Sequence, residues 1–267
     1  MNSIDDWDKN LDQIFSLLDT AKKNDPELDL CCFPENCMYF RSHETDRLEG
    51  ISLADKKFKQ LSDYAKTNLV NLHLGSVALQ VNGKIHNASV TVFKTGEVKK
   101  TYSKMHLFDI TLSETQKYKE SDVYQHGEQP EILNLEGWHV GQTICYDIRF
   151  AEIFNWYASH SAEVILVPAA FLTATGKDHW EVLLRARAIE SQAYIIASAQ
   201  AGLHIGRLGK RETWGRSLII DPWGHILAQG TPDSPDVLNV KLDLERINQV
   251  RRQIPMKNHR RLIQMKR

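Results

Sequence analysis

The ten residues Gly141-Gln142-Thr143-Ile144-Cys145-Tyr146-Asp147-Ile148-Arg149-Phe150 join two segments of different hydrophobic periodicity. Residues 138–144 alternate and then run apolar, which is typical of a short buried strand, whereas residues 151–160 have the apolar spacing of a helix. Cys145 is therefore predicted at a strand-to-helix junction. A helix dipole and free backbone N–H groups there would favour a thiolate and any oxyanion formed beside it. The alternative is that Cys145 is a small buried hydrophobic residue.

Length and charge limit the class of protein. The 267 residues suffice for a full hydrophobic core, and no linker or repeat divides them, so we expect one domain over residues 1–267 with a basic C-terminal tail at 253–267. The 33 Lys and Arg residues against 34 Asp and Glu residues give a net charge of -1, which argues against a nucleic-acid partner and favours a small organic substrate. Without a signal peptide or an apolar span, we expect no membrane partner and a cytoplasmic protein.

The four cysteines predict free thiols and not a disulfide framework. Cys31, Cys32 and Cys37 cluster in one strand-and-loop segment, and they lack the CxxC or histidine spacing of a zinc site. We therefore expect no metal and no other cofactor.

A carboxylate follows an early predicted strand. The apolar run at 28–33 predicts a buried strand that ends in Pro34-Glu35-Asn36, and reactive groups of open α/β sheets collect at such carboxyl ends. Glu35 is thus a candidate acid or base, with a helix cap or surface charge as the alternative.

A lysine follows another predicted strand, at 98–102. Lys104 lies in Ser103-Lys104-Met105-His106-Leu107, and partial burial there would require an anionic partner, while an ordinary solvated lysine is the alternative. The long segment at 108–130 has no clear periodicity, and loops of that length are usually functional or disordered.

Four further patterns concern the fold. Residues 6–23 have the spacing of an amphipathic helix, and Val81-Asn82-Gly83-Lys84 predicts a tight hairpin in an otherwise β-α-β pattern, which favours mixed sheets. Residues 202–213 read as a polar loop, and residues 237–242 read as a closing strand.

Together Glu35, Lys104 and Cys145 provide all the chemical groups that acyl transfer requires. Glu35 would take the proton of the Cys145 thiol and return it to a leaving amine. The Lys104 ammonium, together with the backbone N–H of Tyr146, would hold the oxyanion of a tetrahedral intermediate.

The segments FPEN, SKMHLF and TICYDIRF resemble the Glu-Lys-Cys triad contexts of the nitrilase superfamily, and the resemblance covers essentially the whole chain. It implies a catalytic base at Glu35, an oxyanion-stabilising lysine at Lys104 and a nucleophile at Cys145. It also implies a second glutamate at Glu120 that orients Lys104 and the substrate.

Three further segments, at 171–176, 179–190 and 221–224, resemble the Nit-type amidases of this superfamily. The resemblance implies hydrolysis of a primary amide of a small carboxylate-bearing, deaminated-glutathione-like substrate. Arg149, Phe171 and Thr175 would line the pocket, with Arg149 meeting the substrate carboxylate. The implied fold is α/β, a four-layer α-β-β-α sandwich with mixed sheets, and the implied assembly is a homodimer.

The resemblance also leads us to expect that a first strand is missing. Members of the superfamily begin with an apolar strand before the first helix, whereas this sequence starts at Met1-Asn2-Ser3. We expect an unpaired strand edge, an open apolar groove and poor solubility.

Other functions stay open. An ω-amidase or an N-carbamoyl amide hydrolase is the nearest alternative, followed by a nitrilase and by an inactive scaffold with an intact triad. A histidine-dependent cysteine hydrolase fits poorly, since Thr143 and Asp147 stand where a nucleophile elbow has glycines and Cys145 is far from the start of the domain.

Overall fold

The computed structural model describes residues 1–43, 48–111, 114 and 117–261. Within these residues there are six α-helices: α1 Trp7–Asn24, α2 Lys56–Asn68, α3 Ala151–Ser159, α4 Thr173–Ser191, α5 Leu244–Gln253 and α6 Met256–His259. The strands of the same residues are β1 Leu30–Cys32, β2 Asn71–Val81, β3 Lys84–Val92, β4 Val98–Ser103, β5 Asp109–Thr111, β6 Lys117–Lys119, β7 Ile132–Leu135, β8 Trp138–Gln142, β9 Val164–Leu166, β10 Tyr194–Ala197, β11 Ala201–Ile205, β12 Lys210–Trp214, β13 Leu218–Ile220 and β14 Ile226–Gln229. Two 3-10 helices cover Glu120–Asp122 and Cys145–Arg149.

Two mixed sheets form the centre of the fold. The first sheet has the order β1-β2-β3-β4, with β1 and β2 parallel and the remaining pairs antiparallel. The second has the order β14-β13-β10-β9-β8-β7, with a parallel centre of β8, β9 and β10 between antiparallel edges. The mixed sheets predicted from the Asn82-Gly83 hairpin are therefore confirmed.

Three apolar clusters define the layers. Helices α1 and α2 share one cluster with the first sheet, and helices α3 and α4 share another with the second. A third cluster joins the sheets to each other, since Leu30 and Cys32 of β1 meet Val164 and Leu166 of β9. Helices outside and two facing sheets inside make the α-β-β-α sandwich that the resemblance implied.

Helix α1 shows why the local prediction succeeded. The side chain of Asp6 caps its start by accepting hydrogen bonds from the backbone N–H groups of Asp8 and Lys9, both at 3.1 Å. Leu11, Ile14 and Leu18 are buried at helical spacing, so one face of the helix packs on the first sheet.

Two segments differ from the sequence prediction. Residues 202–213 are not a polar loop, because β11 and β12 form an antiparallel hairpin there. Ala201 pairs with Trp214 at one end of this hairpin, and Ile205 pairs with Lys210 at the other end. Residues 237–242 form no strand, because no neighbouring described strand supplies their backbone with hydrogen-bond partners. In addition, the segment at 108–130 contains the β5–β6 hairpin and one 3-10 helix.

Strand β1 lies at one edge of the first sheet, and the poor solubility expected from an open edge stays a prediction. Among the described residues β1 pairs only with β2, and an apolar groove of about 160 Å³ runs along it. Leu30, Phe33, Val237 and Leu238 are among the residues that line this groove.

The C-terminal tail is only partly described. Within the predicted tail, α6 forms, and Arg260 Nη1 donates to Asn155 Oδ1 at 2.6 Å. Residues 262–267 lie outside the described residues. In the part of the chain that is described, no helix combines the length and the apolar character that crossing a membrane requires.

Candidate active site

All eight residues singled out from the sequence line one cavity of about 560 Å³. They are Glu35, Lys104, Glu120, Cys145, Tyr146, Arg149, Phe171 and Thr175. The volume falls in the range of small-molecule sites. The tertiary structure thus brings together residues from distant parts of the chain.

Glu35 lies three residues after the end of β1 and is 4% exposed. Its Oε1 accepts hydrogen bonds from Lys104 Nζ at 2.8 Å and from Asn87 Nδ2 at 3.0 Å, and its Oε2 accepts from the backbone N–H of Ala170 at 2.8 Å. Burial acts to raise the pKa of Glu35, but the Lys104 ammonium outweighs it and holds that pKa below its usual value. The carboxyl is therefore ionised at neutral pH.

Lys104 follows β4 directly and is 2% exposed. Its ammonium also donates to Glu120 Oε2 at 2.9 Å, and its backbone N–H donates to the carbonyl of Asn87 at 2.9 Å. Burial acts to lower the pKa of Lys104, but the charges of Glu120 and Glu35 hold it well above its usual value. The ammonium is a permanent positive charge inside the cavity.

Glu120 begins the 3-10 helix Glu120–Asp122 and completes the charged cluster. It accepts hydrogen bonds from the backbone N–H of Phe108 at 2.6 Å and from Asn87 Nδ2 at 2.8 Å. The segment that showed no periodicity in the sequence therefore supplies a carboxylate to Lys104.

Cys145 is the first residue of the 3-10 helix Cys145–Arg149 and has a positive φ of 47°. Burial, followed by the charge of Glu35, raises the pKa of its thiol well above the usual value. Burial and the charge of Glu35 therefore favour the protonated thiol, and the expected contribution of the helix terminus stays a prediction. The sulfur carries its proton, and the neighbouring ionised carboxylate of Glu35 is available to accept it.

Asp147 ties the short helix that begins at Cys145 to the loop that carries Lys104. Its buried carboxylate accepts hydrogen bonds from the backbone N–H groups of Ile144 at 2.9 Å and His106 at 3.0 Å, and from the Tyr102 hydroxyl at 2.8 Å. The His106 ring contacts the same carboxylate through Nδ1 at 2.7 Å. Tyr102 and His106 flank Lys104 in the chain, and Ile144 precedes Cys145, so Asp147 connects the segment that carries the ammonium to the segment that carries the thiol.

The other predicted residues form the aromatic and cationic wall of the cavity. The Arg149 guanidinium lies 5.2 Å from the centroid of the Phe171 ring and 5.8 Å from that of Tyr146. Its Nη1 contacts His179 Nδ1 at 3.2 Å. Thr175 lies in the first turn of α4 and borders the same space.

Two groups at the site escaped the sequence analysis. Asn87 lies within β3, 1% exposed, and its amide joins Glu35 to Glu120. Asparagine is disfavoured in strands, so an asparagine inside the run Lys84–Val92 was a usable signal. The Ala170 backbone N–H had no signal, because its contact with Glu35 spans 135 residues.

Within the described residues, no three His, Cys, Asp or Glu side chains are grouped so as to hold a metal ion. The negative charges of Glu35 and Glu120 are paired with the ammonium of Lys104.

Comparison with known proteins gives consistent results. The carbon-nitrogen hydrolase family model matches residues 1–252. The deaminated glutathione amidase of Synechocystis sp. (strain PCC 6803) is 37% identical over 268 residues, which cover 97% of this chain and 95% of that protein. The deaminated glutathione amidase of Yersinia enterocolitica is 34% identical over 257 residues, covering 94% of this chain and 88% of that protein.

Among solved structures, Saccharomyces cerevisiae Nit3, described as a member of branch 10 of the nitrilase superfamily, superposes with a TM-score of 0.81. It is 25% identical, and the match covers 96% of this chain and 91% of that one. The α-β-β-α architecture is therefore shared with that superfamily.

Proposed function

Because the chain belongs to the carbon-nitrogen hydrolase family, we propose that it is an amidase that hydrolyses the primary amide of a small carboxylate-bearing, deaminated-glutathione-like compound. The observation that carries the proposal is that Glu35, Lys104 and Cys145 all line the same cavity of about 560 Å³, with Glu35 in contact with Lys104. Relatives at 34% and 37% identity that carry the name deaminated glutathione amidase support the substrate class.

The chemistry starts with a proton transfer from the Cys145 thiol to the Glu35 carboxylate. The sulfur attacks the amide carbon and forms a C–S bond, and the carbonyl oxygen becomes an oxyanion. When the C–N bond breaks, Glu35 returns the proton to the leaving nitrogen, so ammonia departs and a thioester remains.

Hydrolysis of the thioester reuses the same base. Glu35 takes a proton from water, the hydroxide attacks the thioester carbon, and the C–S bond breaks. The released sulfur recovers the proton from Glu35, and the carboxylic acid product leaves.

Lys104 and the Tyr146 backbone N–H stabilise both tetrahedral oxyanions. The ammonium is already held in place by Glu35 and Glu120, so it need not reorganise as charge develops. The N–H of Tyr146 lies in the first turn of a 3-10 helix, where backbone donors have no partner within the helix.

Arg149 takes the substrate carboxylate nearest the reacting amide. Its guanidinium is confined by Phe171 and Tyr146, and a confined planar guanidinium binds carboxylate with two parallel hydrogen bonds. Substitution of Arg149 by Ala should raise KM for such substrates by about tenfold or more.

The proposal is tested by ammonia release from a panel of carboxylate-bearing primary amides. The turnover of this panel is compared with that of an ω-amide of a 2-oxo acid, an N-carbamoyl amino acid and a nitrile. We expect turnover of primary amides that is abolished in Cys145→Ala and in Glu35→Gln. Cys31→Ala is the matched control, since it removes a thiol that lies outside the cavity and should leave turnover unchanged.

Other outcomes would replace the proposal. Ammonia release from none of these compounds would contradict the whole enzymatic assignment and favour an inactive scaffold. Faster turnover of the ω-amide, the N-carbamoyl compound or the nitrile would replace the substrate class while keeping the catalytic groups.

We also propose that the protein acts as a homodimer in the cytoplasm. Val182 and Ile189 of α4 are 68% and 48% exposed and lie two helical turns apart on one face. Gly224, which lies against Ile189, follows the 41% exposed Trp223 in the chain. An apolar face of this kind favours contact with a second copy. Sedimentation should give a dimer for the native chain and a monomer for Val182→Glu, whereas a native monomer would contradict the assembly.

The free thiols of all four cysteines support the proposed location in a reducing compartment, the cytoplasm.

A further inference from the structure

Arg211 is a second arginine of the cavity, and no step of the proposed reaction uses it. It lies on β12, opposite His204 of β11, and its half-buried side chain reaches the lining of the cavity. Its guanidinium carbon lies 5.0 Å from the centroid of the Tyr118 ring and 5.8 Å from that of Phe40. Two aromatic rings therefore hold the guanidinium in place at the cavity wall.

Among the described residues, one donor of the Arg211 guanidinium has no partner. Its Nε is buried and has no hydrogen-bond partner, and Arg211 forms no ion pair with any described residue. Two lysines of the same cavity differ in this respect, since Lys104 pairs with Glu35 and Glu120, and Lys119 pairs with Asp122. A buried donor without a partner calls for an explanation, and an absent ligand supplies one.

Arg211 and Arg149 occupy the two ends of one row of aromatic contacts. The Tyr118 ring beside Arg211 contacts Phe108 at 5.6 Å, and Phe108 contacts Tyr146 at 5.1 Å. Tyr146 in turn lies beside Arg149 and next to Cys145 in the chain. The cavity thus has one guanidinium near the proposed nucleophile and another at the far end of an aromatic wall.

From this arrangement we propose that Arg211 is a second anion-binding subsite, which takes a terminal carboxylate at the end of the substrate remote from the amide. The inference rests on the proposed amidase function and narrows its substrate class to elongated amides with two carboxylates. A planar guanidinium matches a carboxylate through two parallel hydrogen bonds, and the aromatic row accommodates the apolar or planar middle of such a molecule.

The test uses two elongated primary amides that differ only at the remote end, one a free carboxylate and the other its methyl ester. The native enzyme should prefer the acid over the ester by about ten- to hundredfold in kcat/KM, the effect of one charge-assisted hydrogen-bonded contact. Arg211→Gln should remove this preference while its kcat on a short amide with a single carboxylate stays within about twofold of native.

Two matched variants separate the subsite from general charge. Lys210→Gln removes a positive charge from the neighbouring residue at the same cavity, and it should retain most of the preference. Arg216→Gln removes an arginine that also packs on an aromatic ring, Trp214, but does not line the cavity, and it should leave the preference unchanged.

Affinity measured by calorimetry in the Cys145→Ala background makes the test independent of turnover. There the acid should bind about ten- to hundredfold more tightly than the ester, and Arg211→Gln should equalise the two. Equal binding of acid and ester with Arg211 present would overturn the subsite, even if the amides are hydrolysed. Absence of hydrolysis with the binding preference intact would overturn the amidase proposal and leave the subsite standing.

Discussion

Asn87 links the two carboxylates that surround the Lys104 ammonium. Its Nδ2 donates to Oε1 of Glu35 and Oε1 of Glu120, at 3.0 and 2.8 Å. A neutral donor between two anions stabilises both charged forms, so it helps Lys104 to keep Glu35 ionised. We therefore treat Asn87 as a positioning residue that acts through the proposed base.

The substitution Asn87→Asp should shift the acid limb of the pH–activity profile. It places a third carboxylate against one ammonium, so the pKa of Glu35 rises and a larger fraction of the base is protonated at any acidic pH. The midpoint of the acid limb of kcat/KM should move to a pH that is higher by about one unit or more. The profile is measured as ammonia release from the best substrate.

Asn71→Asp is the matched control for that experiment. Asn71 is also buried, and its amide also contacts a carboxylate, that of Glu136 at 3.3 Å, away from the cavity. This variant should lose stability without a shift of the limb. Superimposable profiles for Asn87→Asp and the native enzyme would contradict the positioning role.

At the scale of elements, a glycine of β2 allows two strand ends to meet. A Cβ on Gly75 would lie 2.0 Å from the Phe33 carbonyl oxygen and 2.4 Å from Pro168 Cβ. Glu35 lies two residues after Phe33 in the chain, and Ala170 lies two residues after Pro168. The backbone N–H of Ala170 donates to the Glu35 carboxylate. The absence of a side chain at Gly75 therefore allows the carboxylate and its backbone donor to approach each other.

Gly75→Ala should lower both stability and activity. Overpacking costs about 1–3 kcal/mol, which corresponds to a fall in Tm of about 5 °C for a chain of this size. Activity should fall by about tenfold or more, because Glu35 and Ala170 move apart. Gly230→Ala is the control, since its Cβ would meet nothing closer than 3.6 Å. Equal melting and activity of the two variants would show that the approach at Gly75 has no importance.

At the scale of the whole molecule, two histidines buried inside the fold couple stability to pH. Burial lowers the pKa of His73, which lies on β2, to about 4, and it does the same for His204 on β11. In the unfolded chain both would titrate near the ordinary value of about 6.5. Between those two values the unfolded state binds more protons than the folded state, so the free energy of unfolding falls as the pH falls.

Urea denaturation should therefore give a free energy of unfolding about 2 kcal/mol lower per histidine at pH 5 than at pH 7. His73→Gln should remove about half of this histidine-dependent loss, whereas substitution of the exposed His139 by Gln should remove none. A difference between pH 5 and pH 7 that His73→Gln leaves unchanged would contradict the assignment to this group.

The assignment of residues 1–267 to one domain belongs to the same scale, and it stays a prediction. It is supported by the third apolar cluster, which joins Leu30 and Cys32 of the first sheet to Val164 and Leu166 of the second. A single cooperative transition in the same urea experiment would support it further, and two separate transitions would contradict it.

The sequence by itself determined the local elements and the chemical groups of this protein. Backbone preferences and periodicities set by neighbouring residues determine helix α1 and the Asn82-Gly83 turn. The same local patterns place Glu35, Lys104 and Cys145 after strands. The resemblance of the motifs then identified the family and the layers of the fold.

Only the tertiary structure decided which of these groups meet and in what protonation state. Lys104 meets a carboxylate 69 residues away, and Glu35 meets a backbone N–H 135 residues away, so no local pattern encodes either contact. The raised pKa of Cys145 and the absence of a strand at residues 237–242 also depend on residues that are distant in the chain. Burial, charge and strand pairing are properties of neighbours in space, and those neighbours are assembled only when the sheets pack together.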